Sequence, residues 1–140
     1  MSGAITFVVP GLPQGKGRPR ASTIGGKVRM FTPARTVSYE AQLKHFAHEA
    51  MRAAGLDPMV GPLAVSVLAA WPKAASWSKK KAAATRWHTS RPDADNIVKC
   101  LDGLNGVVWQ DDAQVADIHV RKVYTDDGSA YLRVTVEPMA

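Results

Sequence analysis

Acidic side chains are concentrated in one stretch of the chain, residues 93–112. Five of the 12 aspartates and glutamates lie there, and Lys99 is the only base among them. The chain as a whole has a net charge of +6, so this stretch is an acidic island in a basic protein. Carboxylates packed this densely repel one another, and a divalent cation relieves the repulsion by neutralising several at once. Any fold of this chain has to accommodate that repulsion.

The same stretch predicts a helix over residues 95–104 that ends at Gly103 or Gly106. Its apolar residues and its charged residues each recur at i, i+4 and i+7, which places the two sets on opposite faces. One face is expected to pack into the core, while the other presents two carboxylates and an amine together. The apolar set is Ile97, Leu101 and Leu104, and the charged set is Asp95, Lys99 and Asp102.

The remaining sequence predicts an α/β (α+β) fold: a single domain, residues 1–140, with a small mixed β-sheet covered by helices. β-Branched or alternating apolar runs indicate strands, and a helical period indicates one more helix, with Gly55 as its C-cap. The strands are expected over residues 4–9, 62–71, 114–125 and 130–136, and the helix over residues 36–54.

Glycine and proline predict how these elements are connected. Residues 10–35 are expected to form a long basic loop, and residues 77–87 a short helix or an ordered loop within the basic segment 72–92. The dipeptide Asp127-Gly128 predicts a hairpin turn that returns the last strand beside the preceding one. The residues expected to face inward are Val37, Ala41, Leu43, Ala47 and Met51 in the helix, Ala116, Ile118 and Val120 in the third strand, and Leu132, Val134 and Val136 in the fourth.

Basic side chains form two blocks that contain no acid. No acid precedes Glu40, and twelve of the 18 lysines and arginines lie in the two blocks. Such blocks favour a nucleic-acid partner, although two mobile, solvated loops would have the same composition. The residues predicted to contact DNA phosphate are Lys16, Arg18 and Arg20 in the first block, and Lys79, Lys80, Lys81 and Arg91 in the second.

The acidic stretch supplies the oxygen ligands that Mg²⁺ or Mn²⁺ prefers. Asp93 and Asp95 precede or begin the predicted helix, and the turn at Asn105-Gly106 can bring Asp111-Asp112 back to them. A metal ion held there would polarise a phosphodiester and activate water, with Lys99 offsetting the developing charge. Three simpler interpretations stay open: a surface salt bridge between Asp95 and Lys99, a helix cap at Asp93 or Asp95, and a polar turn at Asp111-Asp112.

Several protein classes are excluded by the sequence. The fifth and sixth positions counted from Asp93 are Ile97 and Val98, so a calcium-binding EF-hand loop is absent. There is no phosphate-binding Gly-rich loop, no dinucleotide fingerprint, and no apolar run long enough to span a bilayer. Met1–Pro10 does not read as a signal peptide, and the single cysteine, Cys100, fits a reducing cytosol and a small, partly buried helical residue.

Taken together, these motifs resemble the RusA family of endodeoxyribonucleases, the Holliday junction resolvases of prophages and bacteria. The resemblance is most specific over residues 91–117 and extends to Lys16-Gly17-Arg18-Pro19-Arg20 and Phe31-Thr32-Pro33. Its central sequences are Arg91-Pro92-Asp93-Ala94-Asp95-Asn96-Ile97-Val98-Lys99, Leu101-Asp102-Gly103-Leu104-Asn105 and Trp109-Gln110-Asp111-Asp112-Ala113-Gln114-Val115.

This resemblance implies a bacterial, cytoplasmic homodimer that makes paired, Mg²⁺-dependent nicks in four-way DNA junctions. By motif position, Asp93, Asp95 and Asp112 would be catalytic metal ligands and Lys99 the catalytic lysine. Asp111 would have an accessory role. Two features depart from the family pattern: Ala94 replaces a larger apolar residue, and the short spacing after Lys99 leaves the role of Asp102 open.

Two other functions are compatible with the sequence. One is a metal-dependent nuclease that cuts flaps, forks or RNA without preferring junctions. The other is a branched-DNA-binding module without chemistry, although carboxylates that repel phosphate would not help a pure binder. For Val107, Val108 and Trp109 the alternatives are core and subunit interface, with the core favoured for the valines.

Overall fold

The computed structural model describes residues 3–140 of the chain, so the first two residues of the predicted domain lie outside the described part. It is an α+β fold in a single small domain. The strands are β1 (Ile5–Pro10), β2 (Arg20–Ile24), β3 (Lys27–Phe31), β4 (Leu63–Pro72), β5 (Val115–Thr125) and β6 (Tyr131–Pro138). The helices are α1 (Ala34–Ala54), α2 (Lys79–Ala84) and α3 (Ala94–Lys99), with 3₁₀ turns at Cys100–Leu104 and Asp112–Gln114.

Four strands form the main sheet in the order β1-β6-β4-β5. β6 runs antiparallel to both β1 and β4, whereas β4 and β5 are parallel. The predicted pairing of the last two strands across the Asp127-Gly128 turn is therefore wrong, because β4 lies between them. A local turn signal reports only that the chain reverses. Burial decides which strands are neighbours: β4 is apolar enough for a central place, and β5, which has no fully buried residue, takes the edge.

The core lies between this sheet and helix α1. In β6 the alternation is as predicted, with Leu132, Val134 and Val136 all fully buried. β5 differs from the prediction, because Ala116 and Ile118 are exposed on the edge strand and only Val120 is partly buried.

The buried face of α1 consists of Thr36, Tyr39, Leu43, Ala47 and Met51. The prediction of Val37 and Ala41 on this face is wrong, since both are exposed. Thr36 takes the inward position although it is polar, because its hydroxyl accepts a hydrogen bond from the backbone N–H of Gly17 at 2.8 Å. The predicted C-cap is confirmed, with Gly55 in the left-handed conformation at φ 68°.

A hairpin occupies the second half of the predicted 10–35 loop. β2 and β3 pair antiparallel as a separate two-stranded sheet and reverse at Gly25-Gly26, whose φ values are 61° and 78°. Glycine takes this conformation without steric penalty, and paired glycines are typical of two-residue hairpins. The loop prediction failed here because every residue of β3 is exposed, so no apolar alternation marks the strand.

The second basic segment contains the short helix α2 and then follows the edge of the main sheet. Ser78 caps α2 by accepting a hydrogen bond from the N–H of Lys81 at 3.1 Å. Beyond α2, Trp87 makes an antiparallel bridge with Val123 of β5, which brings the chain back towards α3. No helix among residues 3–140 is long and apolar enough to cross a membrane.

Candidate functional site

The acidic stretch begins with α3 and the 3₁₀ turn that continues it. The predicted apolar face is confirmed: Ile97 and Leu104 are fully buried and Leu101 is 4% exposed. The opposite face is exposed, and the Lys99 Nζ lies 3.9 Å from an oxygen of Asp95. The last turn is 3₁₀ rather than α, which leaves the extent of the helical segment as predicted.

Asp93 occupies the N-cap position of α3, but its carboxylate makes no capping hydrogen bond. Its backbone carbonyl accepts the N–H groups of Asn96 and Ile97 at 3.1 and 3.2 Å. The carboxylate is thus free of the capping role that the sequence left open for it, and it stays exposed beside the start of the helix.

A tight turn around Trp109 returns the chain after the 3₁₀ segment. Trp109 and Val108 are fully buried, so the core interpretation is confirmed for both. The indole N–H of Trp109 donates to Asn105 Oδ1 at 2.6 Å, and the Gly106 N–H donates to the Trp109 carbonyl at 2.7 Å. This anchored turn determines where the two aspartates that follow it emerge.

Gln114 holds that emerging segment with both ends of its side chain. Its Oε1 accepts the N–H groups of Gln110 at 2.9 Å and Asp111 at 3.0 Å. Its Nε2 donates to the carbonyls of Met59 and Gly61, both at 3.0 Å. One side chain therefore joins the aspartate pair to the loop that precedes β4. The sequence predicted no role for Gln114, because the two partners that fix it to the rest of the fold, Met59 and Gly61, are more than fifty residues away.

The two adjacent aspartates have different surroundings. Asp111 accepts the Ala113 N–H at 3.0 Å, and this hydrogen bond is the main reason its pKa is lowered. The polar-turn interpretation therefore applies to Asp111. Hydrogen bonding first with Asp111 and then with Asp102 raises the pKa of Asp112. The neighbour of Asp112 across the turn is thus Asp102, whose role the sequence left open.

Three of these charged side chains line one cavity of about 300 Å³. Lys99, Asp102 and Asp112 line it together with the apolar side chains of Val98, Leu101, Trp109, Val115 and Ile118. Asp95 joins this site through its ion pair with Lys99. The structure therefore brings Lys99 and Asp112 to one cavity, whereas Asp93 is not among the lining residues.

The donor atoms of this set are carboxylate oxygens, which hard divalent cations such as Mg²⁺ prefer. Within residues 3–140, however, no three acidic, histidine or cysteine side chains stand close enough together to hold a metal ion. The set of Asp93, Asp95 and Asp112 as metal ligands stays a prediction.

The first basic block lies directly against the start of α3. Lys16, Arg18, Arg20 and Arg35 line an open cleft of about 500 Å³. The far wall of the cleft is formed by Pro92 and Asn96, the residues that flank the Asp93–Asp95 segment. The cationic surface predicted from composition is therefore continuous with the acidic motif.

Lys16 connects the first basic block to α3 and to Asp102 through hydrogen bonds and ion pairs. Its backbone N–H donates to the Asn96 carbonyl at 2.9 Å, and its Nζ lies 3.2 Å from Asp102 and 3.4 Å from Glu40. Partial burial alone would lower the pKa of Lys16, but the bond to Asp102 and the charge of Glu40 raise it. Gly15 permits the close approach, since an added Cβ would stand 2.9 Å from Pro92 Cβ. The amine of Lys16 thus faces carboxylates of its own chain.

The second basic block lies elsewhere. Lys79, Lys80 and Lys81 are exposed on α2, and Lys81 sits 4.6 Å above the ring of Trp77. Trp77 in turn packs on Tyr124, near the end of β5 that is opposite to Asp112. Nine residues of strand separate Val115 from Tyr124, which corresponds to about 30 Å. Of this block, Arg91 alone lies next to the acidic motif in the chain.

Comparison with known proteins shows what this chain is similar to. The family model described as "Endodeoxyribonuclease RusA" matches residues 10–137, nearly the whole chain. An uncharacterized protein, YqaN of Bacillus subtilis (strain 168), is 36% identical over 130 residues, which covers 88% of this chain and 89% of the relative.

Proposed function

The chain belongs to the RusA family of endodeoxyribonucleases, and on this basis we propose that it resolves four-way (Holliday) DNA junctions by paired, symmetrical, Mg²⁺-dependent nicks. The observation that carries the proposal is the shared cavity of Lys99, Asp102 and Asp112, which adjoins α3 and its cationic cleft. A site of this kind would serve DNA recombination and repair in the cytoplasm of a bacterium, with the gene chromosomal or carried by a prophage.

The proposed ligands of the metal ion are Asp93, Asp95 and Asp112, with Mn²⁺ as an alternative to Mg²⁺. When bound, the ion would polarise the scissile phosphodiester and lower the pKa of the attacking water. Lys99 would place its ammonium beside the pentacovalent phosphorus and stabilise the charge that develops there. Asp111 would act through the turn, as a cap that holds Asp112 in place.

Binding of the DNA would use the two basic blocks. Arg18 and Arg20 in the cleft, and Arg91 beside it, would contact the phosphates nearest the cut. Lys79, Lys80 and Lys81 would contact a more distant part of the duplex, because α2 is at the other end of β5. Each phosphate contact releases counterions, so binding is expected to weaken steeply as salt rises.

A homodimer is part of the proposal. A four-way junction presents two equivalent strands, and a two-fold symmetric protein would place one active site on each. Two coupled sites would explain paired rather than single nicks.

The test is cleavage of a synthetic, mobile four-way junction, with Mg²⁺ and with EDTA, beside linear duplex and flap substrates. Paired nicks that need metal and occur chiefly on the junction would support the proposal. Equal cutting of all three substrates would instead identify a general metal-dependent nuclease. Tight junction binding without cutting, in Mg²⁺ or Mn²⁺, would identify a binding module.

Asp93→Asn and Asp95→Asn test the site itself. Each change removes one charge that would hold the cation and that repels phosphate, so cutting should be lost while junction binding is kept or strengthened. Cutting at the wild-type rate by either variant would show that the active site has been assigned to the wrong residues.

A further inference from the structure

The hairpin of β2 and β3 is separate from the rest of the fold. It forms its own two-stranded sheet, and every residue of β3 is exposed. A two-stranded ribbon alone is only marginally stable in water, so its formation is favoured by a surface to pack on. The hairpin begins at Arg20, a residue that also lines the cationic cleft.

The strand register gives the hairpin two unlike faces. Side chains that stand opposite each other on paired strands share a face, and the face alternates along each strand. Arg20 pairs with Phe31 and Ser22 with Arg29, which places two guanidinium groups and the Phe31 ring on one face. Lys27 follows two residues from Arg29 on the same side, so this face carries the three cations of the hairpin.

The other face of the hairpin is apolar. It contains the pairs Ala21–Met30 and Thr23–Val28. Val28 is 70% exposed and Met30 is 65% exposed, so two large apolar side chains stand together in solvent. Exposed apolar residues grouped in this way are typical of interaction surfaces.

We propose that this hairpin is a DNA-contacting ribbon whose cationic face lies on phosphates and whose apolar face packs against bases opened at the branch point. The inference rests on the proposed function for its DNA partner. Charge argues for this occupant over the same hairpin of a second copy, because no acid precedes Glu40 and two such hairpins would repel each other.

The dimensions and the chemistry of the ribbon agree with this partner. A two-stranded ribbon fits a groove of duplex DNA, and apolar side chains are used by DNA-binding proteins to separate stacked base pairs. Val28 and Met30 would fill that role, while Arg20, Lys27 and Arg29 hold the flanking backbone. The bases at a branch point are the least firmly stacked in the substrate, so separating them there costs least.

The experiment uses a four-way junction with 2-aminopurine at the branch point, in EDTA so that nothing is cut. 2-Aminopurine brightens when it leaves the stack, so wild-type protein should raise the fluorescence. Val28→Ser with Met30→Ser should bind within about threefold of wild type but lose most of that rise. Val60→Ser, which changes a residue 79% exposed outside the hairpin, should behave like wild type.

The cationic face is tested separately by Lys27→Gln with Arg29→Gln. Removing two phosphate contacts should weaken junction binding about tenfold and reduce the slope of log K against log salt by about 2. An unchanged slope, or an unchanged fluorescence rise in the serine variant, would overturn the proposal. Conversion of a wild-type dimer to monomers by the serine changes, seen by sedimentation, would overturn it too, since the apolar face would then bind a subunit.

These readouts are independent of cutting. If wild-type protein fails to nick the junction in Mg²⁺ but gives the fluorescence rise and the salt effect, the proposed activity fails and the ribbon stands. If wild-type protein nicks the junction normally, while both hairpin variants bind it and raise the 2-aminopurine fluorescence as wild type does, the proposal for the hairpin is refuted and the proposed activity stands.

Discussion

Replacing Gln114 by alanine should loosen the turn that carries Asp112. The change removes four hydrogen bonds, two accepted from the N–H groups of Gln110 and Asp111 and two donated to the carbonyls of Met59 and Gly61. The bond to Met59 is partly buried and the other three are exposed. Because water can replace the exposed partners, each of those three bonds contributes a free energy at the low end of the range usual for protein hydrogen bonds.

A protein hydrogen bond contributes about 0.5–1.5 kcal/mol net to the free energy of unfolding. One bond near the middle of that range and three near its lower end together contribute roughly 2–3 kcal/mol, which the variant should lose. For a chain of this size, that lowers the melting temperature by about 5–10 °C. Cleavage should slow by roughly 10- to 100-fold through kcat, because Asp112 would no longer be held in position. KM for the junction should change little, since Gln114 is not in the cationic cleft.

Melting followed by circular dichroism and junction cleavage in Mg²⁺ measure the two effects. Gln114→Glu is the matched variant, because it keeps an oxygen for Gln110 and Asp111 but turns the other oxygen towards the carbonyls of Met59 and Gly61, and this repulsion should lower the melting temperature at least as much as alanine does. Gln110→Ala is the control, because it removes an exposed glutamine side chain from the same turn without removing the hydrogen bonds of Gln114. If Gln114→Ala melts within about 2 °C of wild type and cuts normally, the side chain does not position the turn.

Three further predictions concern buried or tightly packed groups. Burial raises the pKa of Cys100 to about 12, so a thiol reagent at pH 8 should leave the folded protein unmodified and react in guanidinium; rapid labelling of native protein would contradict this. Burial, and then the charge of Lys122, lower the pKa of His88, so the stability that neutral His88 contributes is present above pH 6.5 and is lost as the pH falls below it. His88→Phe should therefore flatten the fall in melting temperature between pH 7 and pH 5, and parallel curves for variant and wild type would refute the assignment. Gly15→Ala places a Cβ 2.9 Å from Pro92 Cβ and should cost about 1–3 kcal/mol by urea denaturation, so an unchanged midpoint would mean that this segment can shift freely.

The parts of the fold that the sequence predicted correctly are those with a strong local period. Ile97, Leu101 and Leu104 mark a helix face, and the alternation in β6 marks a strand buried on one side. Both patterns indicate which side chains are buried away from water, and each can be recognised in a sequence window of about ten residues. The α1 face was wrong in part because Thr36 enters the core with a partner, the Gly17 N–H, that periodicity does not reveal.

What the sequence could not predict depends on distant partners. The place of β5 at the edge follows from competition for the centre of the sheet, which no turn signal reports. The β2–β3 hairpin has no buried side in β3, so only its Gly25-Gly26 reversal could have identified it. The approach of Asp102 to Asp112 likewise needs the whole turn around Trp109.

The candidate site was predicted as a list of residues, and its assembly depends on contacts between segments far apart in the chain. Lys99 and Asp112 do open onto one cavity. The contact of Lys16 with phosphate stays a prediction, but the sequence did not indicate that its amine pairs with Asp102 and Glu40. Charge density alone cannot tell a lysine that faces DNA from one that faces a carboxylate of its own protein.

The parallel pairing of β4 and β5 also bears on how such proteins can diverge. The chain leaves the sheet at Pro72 and re-enters it at Val115, so the α2 lysines and the acidic stretch both belong to a single crossover connection. Lengthening a connection is cheap, at about 0.6 kcal/mol for each doubling. Insertions or deletions between residues 73 and 92 can therefore change how far the α2 lysines stand from the acidic stretch, while the strands that support the aspartates keep their places.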